Sequence, residues 1–95
     1  MELSKADMIV SLAGRDKGQL FFVVDTDEQY VYLANGKGRR LESPKRKKRR
    51  HVRKLPLYPS RVAEKLRNGD KVLTSELRRE LAVIGQTFNS QNQGG

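Results

Sequence analysis

The residues best placed to do chemistry together are Lys45, Arg46, Lys47, Lys48, Arg49, Arg50, His51, Arg53 and Lys54. Residues 45–58 hold eight Lys and Arg and no Asp or Glu. Residues 1–44 hold six basic and seven acidic side chains, and residues 59–95 hold six and four. Nearly all of the formal charge of +9 therefore sits in one block. The chemistry of such a block is electrostatic. Ammonium and guanidinium groups neutralise phosphates and release their condensed counterions, so a concentrated run points to a polyanion partner. If about six of these charges engage a single strand, the log–log salt slope is expected near −4. Like charges at this density repel one another, which predicts that residues 45–50 are extended and mobile until a polyanion orders them. The competing readings are a solvated loop, which has no need of eight cations without an acid among them, and a nuclear-localisation signal.

RNA is favoured over DNA as the polyanion. The chain shows no helix-turn-helix pattern, no zinc ligand set and no basic-region zipper. Arginine-rich segments that fold on binding are a common RNA device. Other groups fit the same chemistry. Arg15 and Lys17 lie in a loop bounded by Gly14 and Gly18, and Arg39 and Arg40 lie ahead of the basic block. Glycine at both ends of the loop allows positive φ without a Cβ penalty and leaves amides that a phosphate could approach. Asp16 could instead pair with one of its neighbours in a solvated turn. Tyr30, Tyr32 and Tyr58 could stack on unpaired bases, or pack under the helices instead.

Catalysis is not expected. His51 is the only histidine and sits inside the cation run. Asp25, Asp27 and Glu28 read as ordinary turn acids. Gly14 and Gly18 are followed by Gln19-Leu20, with no Gly-Lys-Ser/Thr, so the loop is not a nucleotide-binding P-loop. With no cysteine there is no disulfide and no thiolate metal site. No metal, cofactor or small-molecule substrate is implied.

The elements that must hold these groups are short. Three apolar runs at residues 8–13, 19–24 and 30–34, bounded by Gly and Asp clusters, predict an antiparallel meander. The second run is apolar on both faces, which argues for a strand covered on both sides. In the third, Val31 and Leu33 are expected inward and Tyr30 and Tyr32 outward. Asn35-Gly36 predicts a type I′ hairpin turn, followed by a fourth strand at 38–42 displaying Arg39 and Arg40. A fifth, edge strand is expected at 51–57, with Pro56 limiting its pairing. Ser60 caps a predicted helix over 61–67, ended by Asn68-Gly69. Residues 76–84 form a second predicted helix whose Leu77, Leu81 and Ile84 should dock on the sheet, with Gly85 as its stop.

The apolar strand, the loop Ala13-Gly14-Arg15-Asp16-Lys17-Gly18, the strand 20–24, then Asp25 and a third strand resemble the KOW motif, with Gly18 best matching its fixed glycine. The version here is most similar to the KOW domain of archaeal and eukaryotic large-subunit ribosomal proteins and their short bacterial relatives. The resemblance covers roughly the first 55 residues. It implies a mainly β, SH3-like small barrel that binds RNA, in particular ribosomal RNA, and association with the large ribosomal subunit. The C-terminal helical extension departs from a bare KOW unit.

The expected organisation is an arm at 1–6, a barrel at 7–58 that includes the basic segment 44–54, a helical extension at 59–85 and a disordered polar tail at 86–95. The longest apolar run, 20–24, is far too short to span a membrane. The first residues lack a hydrophobic signal region. A cytoplasmic protein is expected. A protein-interaction adaptor, using an SH3-like barrel and the Leu77/Leu81/Ile84 helix, is the alternative to RNA binding.

Overall fold

The computed structural model describes residues 2–56 and 60–93, with side chains through Gln86. In chain order the elements are β1 (Met8–Ser11), β2 (Leu20–Thr26), β3 (Tyr30–Ala34), β4 (Lys45–Lys48), a 3₁₀ turn (Arg49–His51), β5 (Val52–Lys54), α1 (Arg61–Asn68) and α2 (Thr74–Gln93). The strands form one antiparallel sheet in the order β4-β3-β2-β1-β5.

The sheet is curled. Laid flat, its edge strands would stand about 19 Å apart, four spacings of ~4.8 Å. The link from Lys48 to Val52 could reach only about 14 Å if fully extended, and its three residues are wound into a 3₁₀ turn. One face therefore folds over itself. Ile9, Phe21, Val23, Val31, Leu33 and Val52 bury one another there, joined by Leu3. No ladder connects β4 to β5 among the described residues, so the sheet stays open.

Over β1, β2 and the Ala34 end of β3 the opposite face is covered by helices. Met8, Val10, Phe22 and Ala34 pack with Val62, Ala63 and Leu66 of α1 and with Leu77, Leu81 and Ile84 of α2. This explains the doubly apolar sequence of β2: Phe21 and Val23 serve one core and Phe22 the other. It also occupies the Leu77/Leu81/Ile84 stripe, the surface on which an adaptor was to dock its partner. Burying each such side chain stabilises by about 1.5–3 kcal/mol. Helix α1 forms where expected. The Ser60 hydroxyl accepts from the Ala63 amide at 3.1 Å, and Gly69 closes the helix with φ +76°.

Several expectations are corrected. Residues 38–42 form bends and a turn rather than a strand, and the fourth strand is the basic segment itself. That segment is not a mobile coil but a hydrogen-bonded partner of β3. β5 is shorter than expected, with His51 in the 3₁₀ turn, and the Leu57 end lies outside the described residues. Gly36 has φ +72° but Asn35 does not share a positive φ, so the turn is not type I′. Instead the Asn35 Oδ1 accepts from the amides of Lys37 and Arg39 at 2.9 and 3.0 Å. The arm is part of the fold: Leu3 and Ala6 are buried, and the Ala6 amide donates to the Val23 carbonyl at 2.7 Å. Ala6 takes φ +78°, at a cost of about 1 kcal/mol for an L-residue.

Helix α2 does not end at Gly85 but runs to Gln93, through most of the segment expected to be disordered. A glycine inside a helix costs only about 1 kcal/mol, and the Gln residues beyond it are good helix formers. Propagation from a docked first half is also easier than nucleation. Gly85 is half-buried where the helix passes Leu20, and a Cβ there would make an ordinary contact with that side chain at 3.5 Å.

Candidate nucleic-acid interface

Strand β4 pairs with β3 in the register Tyr30↔Lys48, Val31↔Lys47, Tyr32↔Arg46 and Leu33↔Lys45. Cross-strand partners share a face and side chains alternate, so the four consecutive cations are divided between two environments. Lys45 and Lys47 go with Val31 and Leu33 to the curled face. Arg46 and Lys48 go with the tyrosines to the other.

On the curled face the charge is neutralised internally. The Lys47 ammonium, only 9% exposed, donates to the Ala13 carbonyl at 2.7 Å and to Asp16 Oδ1 at 2.8 Å. The Lys45 ammonium lies 2.6 Å from Asp16 Oδ2. The buried Ser11 hydroxyl donates to Asp16 Oδ1 at 2.7 Å. Burial by itself pushes the Asp16 carboxyl up. The hydrogen bonds from Lys45, Lys47 and Ser11, with the charge of Lys47, outweigh it and hold the group well below the usual carboxylate range. The network fastens the glycine loop to β4, two parts of the sheet that share no backbone ladder. Asp16 thus pairs with neither Arg15 nor Lys17.

On the other face the charge is open. Arg46, Lys48, Arg50 and Arg53 are exposed, and none has a carboxylate partner among the described residues. The Arg46 guanidinium sits 4.5 Å from the centroid of the Tyr30 ring, a cation–π contact. Tyr32 donates to Asp27 Oδ2 at 2.7 Å, while the amides of Gln29 and Tyr30 donate to Oδ1 at 3.0 and 2.8 Å. The Tyr32 hydroxyl first, then these amides, hold the Asp27 carboxyl below its ordinary value. The same bond raises the Tyr32 phenol. Arg49 is tied in, its Nε donating to the Asp27 carbonyl at 2.8 Å. Lys54 lies 3.5 Å from Asp7, and His51 is half-buried in the 3₁₀ turn. Tyr30 and Tyr32 are half-buried and belong to neither apolar core. Tyr58 lies outside the described residues.

The glycine loop has the expected backbone, with Gly14 at φ +84° and Gly18 at +88°. Its amides are not free for an anion at three positions. Lys17 donates to Gly14, Gly18 to Ser11 and Gln19 to Asp16. What the loop offers is the exposed side chains of Arg15 and Lys17. The registers Val10↔Leu20 and Phe22↔Ala34 put the glycine loop and the β3–β4 loop at the same end of the sheet. Exposed Arg39 and Arg40 of the second loop therefore stand at the same end as Arg15 and Lys17.

Sequence reasoning missed Asp16 as the partner of Lys45 and Lys47, and it did not weigh Lys37, Arg78 and Arg79, which stand exposed. The first pairing spans some thirty residues of chain, and no local pattern announces it. The adjacent Arg78-Arg79 pair on a predicted helix was a visible signal. A scan of family models finds no match to the chain, and no curated protein matches it.

Proposed function

We propose that the protein is a non-catalytic RNA-binding module, and that its RNA is ribosomal. The observation that carries this reading is the open face of β4 and the turn after it. There Arg46, Lys48 and Arg50 stand exposed, Arg46 over the Tyr30 ring, with exposed Arg53 following in β5, and no carboxylate neutralises them among the described residues. Apart from the Arg46–Tyr30 contact, an exposed run without counter-charges of this kind suits a phosphate backbone.

Two features support the KOW-like, SH3-like barrel as the scaffold. The order β5-β1-β2-β3-β4, with a 3₁₀ turn linking the edge strands, suits such a barrel. The positive φ of Gly18 suits the fixed glycine of the motif. In this reading the sheet is a rigid platform, the loops bearing Arg15, Lys17, Arg39 and Arg40 set orientation, and the β4 face supplies affinity. The partner is the large ribosomal subunit or its precursor, in the cytoplasm. The structure bears on compartment only in that no helix among the described residues is long and apolar enough to cross a membrane.

The test is sedimentation of the tagged protein from its own lysate at low and high salt, with cross-linked RNA sequenced from the fraction that holds it. Salt-sensitive co-migration with a large subunit is expected. Migration at the top of the gradient with no enriched RNA would sink the proposal. In a binding titration against single-stranded RNA, the four unpaired cations alone predict a slope near −3.

A further inference from the structure

A second positively charged feature lies between the β3–β4 loop and α2. It is an open groove of about 940 Å³, within the size range of small-ligand clefts. Its floor is apolar, made by Leu20, Leu81, Ala82 and Gly85. Its rim carries Lys37, Arg78 and Arg79, and no carboxylate lines it among the described residues. None of the three rim cations has an ion-pair partner there either. Gly36 explains why the loop and the helix meet so closely. A Cβ on Gly36 would fall 2.6 Å from the Thr74 carbonyl oxygen and 2.9 Å from the Arg78 nitrogen, so only glycine lets the backbone lie against the first turn of α2.

We infer that this groove takes an unpaired nucleotide of the bound RNA, with the base on the Leu20–Leu81 floor and the flanking phosphates on Lys37, Arg78 and Arg79. The inference rests on the RNA-binding reading. A nucleotide fits because it joins a flat apolar face to adjacent anionic groups, the combination that floor and rim offer. Continuity favours it too. The loop that supplies Lys37 continues through Arg39 and Arg40 to the start of β4, so a strand leaving the groove meets further cations. The groove would then give the protein a preference for bulges, loops or ends over continuous duplex.

The test uses a labelled short oligouridylate and a fully paired RNA hairpin, both followed by anisotropy, with amide NMR shifts read at Gly38 and Gly85. Two variants probe the site. Arg78→Gln with Arg79→Gln removes two exposed charges. Ala82→Glu sets a carboxylate over the floor from an exposed position. The charge variant is expected to bind oligouridylate about tenfold more weakly, with a salt slope shallower by about 1.4. The floor variant is expected to lose about tenfold, since a base on the floor would desolvate the new carboxylate. Neither should change hairpin affinity, and both groove amides should shift with oligouridylate in the native protein. If the native protein binds both RNAs and neither variant changes oligouridylate affinity, the groove is not the site and the RNA reading stands. If it binds neither RNA, both fall. If the groove amides respond to a glutamate-rich amphipathic peptide and not to oligouridylate, the occupant is a protein segment and the inference is overturned.

Discussion

Lys45 and Lys47 are neighbours in the chain to Arg46 and Lys48, yet the two pairs do different work. The first pair is gathered on Asp16 against the curled core. The second stands open beside the tyrosines. Four like charges in a row are thereby turned by the two-residue period of a strand into a structural pair and a surface pair. A charge count over the segment adds them together, whereas the fold holds half of β4's cations back. A polyanion meets fewer charges than the composition offers, and each of these stands on a fixed scaffold.

Removing Asp16 should break the contrast most severely. Asp16→Ala leaves a buried ammonium without its counter-charge and is expected to cost about 3 kcal/mol, read from the urea midpoint at constant slope. A loss below about 0.5 kcal/mol, the ordinary range for surface changes, would mean that the inner pair is in effect solvated. The same network should be visible in pH. Because the folded carboxyl lies below its ordinary value of 3.8, the unfolded chain binds the proton first as pH falls. The contribution of Asp16 is full above that value and is lost progressively at more acid pH. Acid unfolding of Asp16→Asn should lack this component, and identical profiles for the two proteins would contradict it.

The outer pair should behave in the opposite manner. Arg46→Gln with Lys48→Gln is expected to leave stability within about 0.5 kcal/mol while flattening the salt dependence of RNA binding by about 1.4 in slope. Lys45→Gln with Lys47→Gln should lower stability and leave the slope nearly unchanged. If the two double variants gave the same result in both measurements, the division between faces would have no functional meaning. The smallest effect is local. Tyr32→Phe should raise the Asp27 carboxyl toward its ordinary value in an NMR titration. An unshifted titration would show that the amides of Gln29 and Tyr30 hold it alone.

The contrast also marks where sequence reading stops. The strands β1 to β3 announce themselves by apolar runs and turn residues, and α1 by its Ser60 cap and Gly69 stop, because those signals are local. β4 does not, since Lys is a poor strand former and no apolar alternation marks Lys45–Lys48. It is a strand because β3 has an edge to pair and because Asp16, distant in sequence, neutralises its inward lysines. The excess of charge at the candidate site was legible, as were Arg39 and Arg40. Which cations face solvent was not, because that depends on register with β3. The continuation of α2 past Gly85 was hidden for a related reason: a glycine reads locally as a stop, whereas the docking of the first half of the helix, from which the rest propagates, is not local.

β4 also lies at the rim of the sheet, with one side of its backbone bound to no other strand among the described residues. Such a rim is an invitation to further strands, and closely spaced lysines are a common defence against it. Two copies of this molecule brought rim to rim would set cation against cation, so the segment proposed to attract RNA also keeps the molecules apart. That protection is conditional. A polyanion that neutralises Arg46 and Lys48 removes the repulsion as it binds, and self-association should therefore rise where RNA is sub-stoichiometric and fall again when excess RNA restores a net charge of the opposite sign.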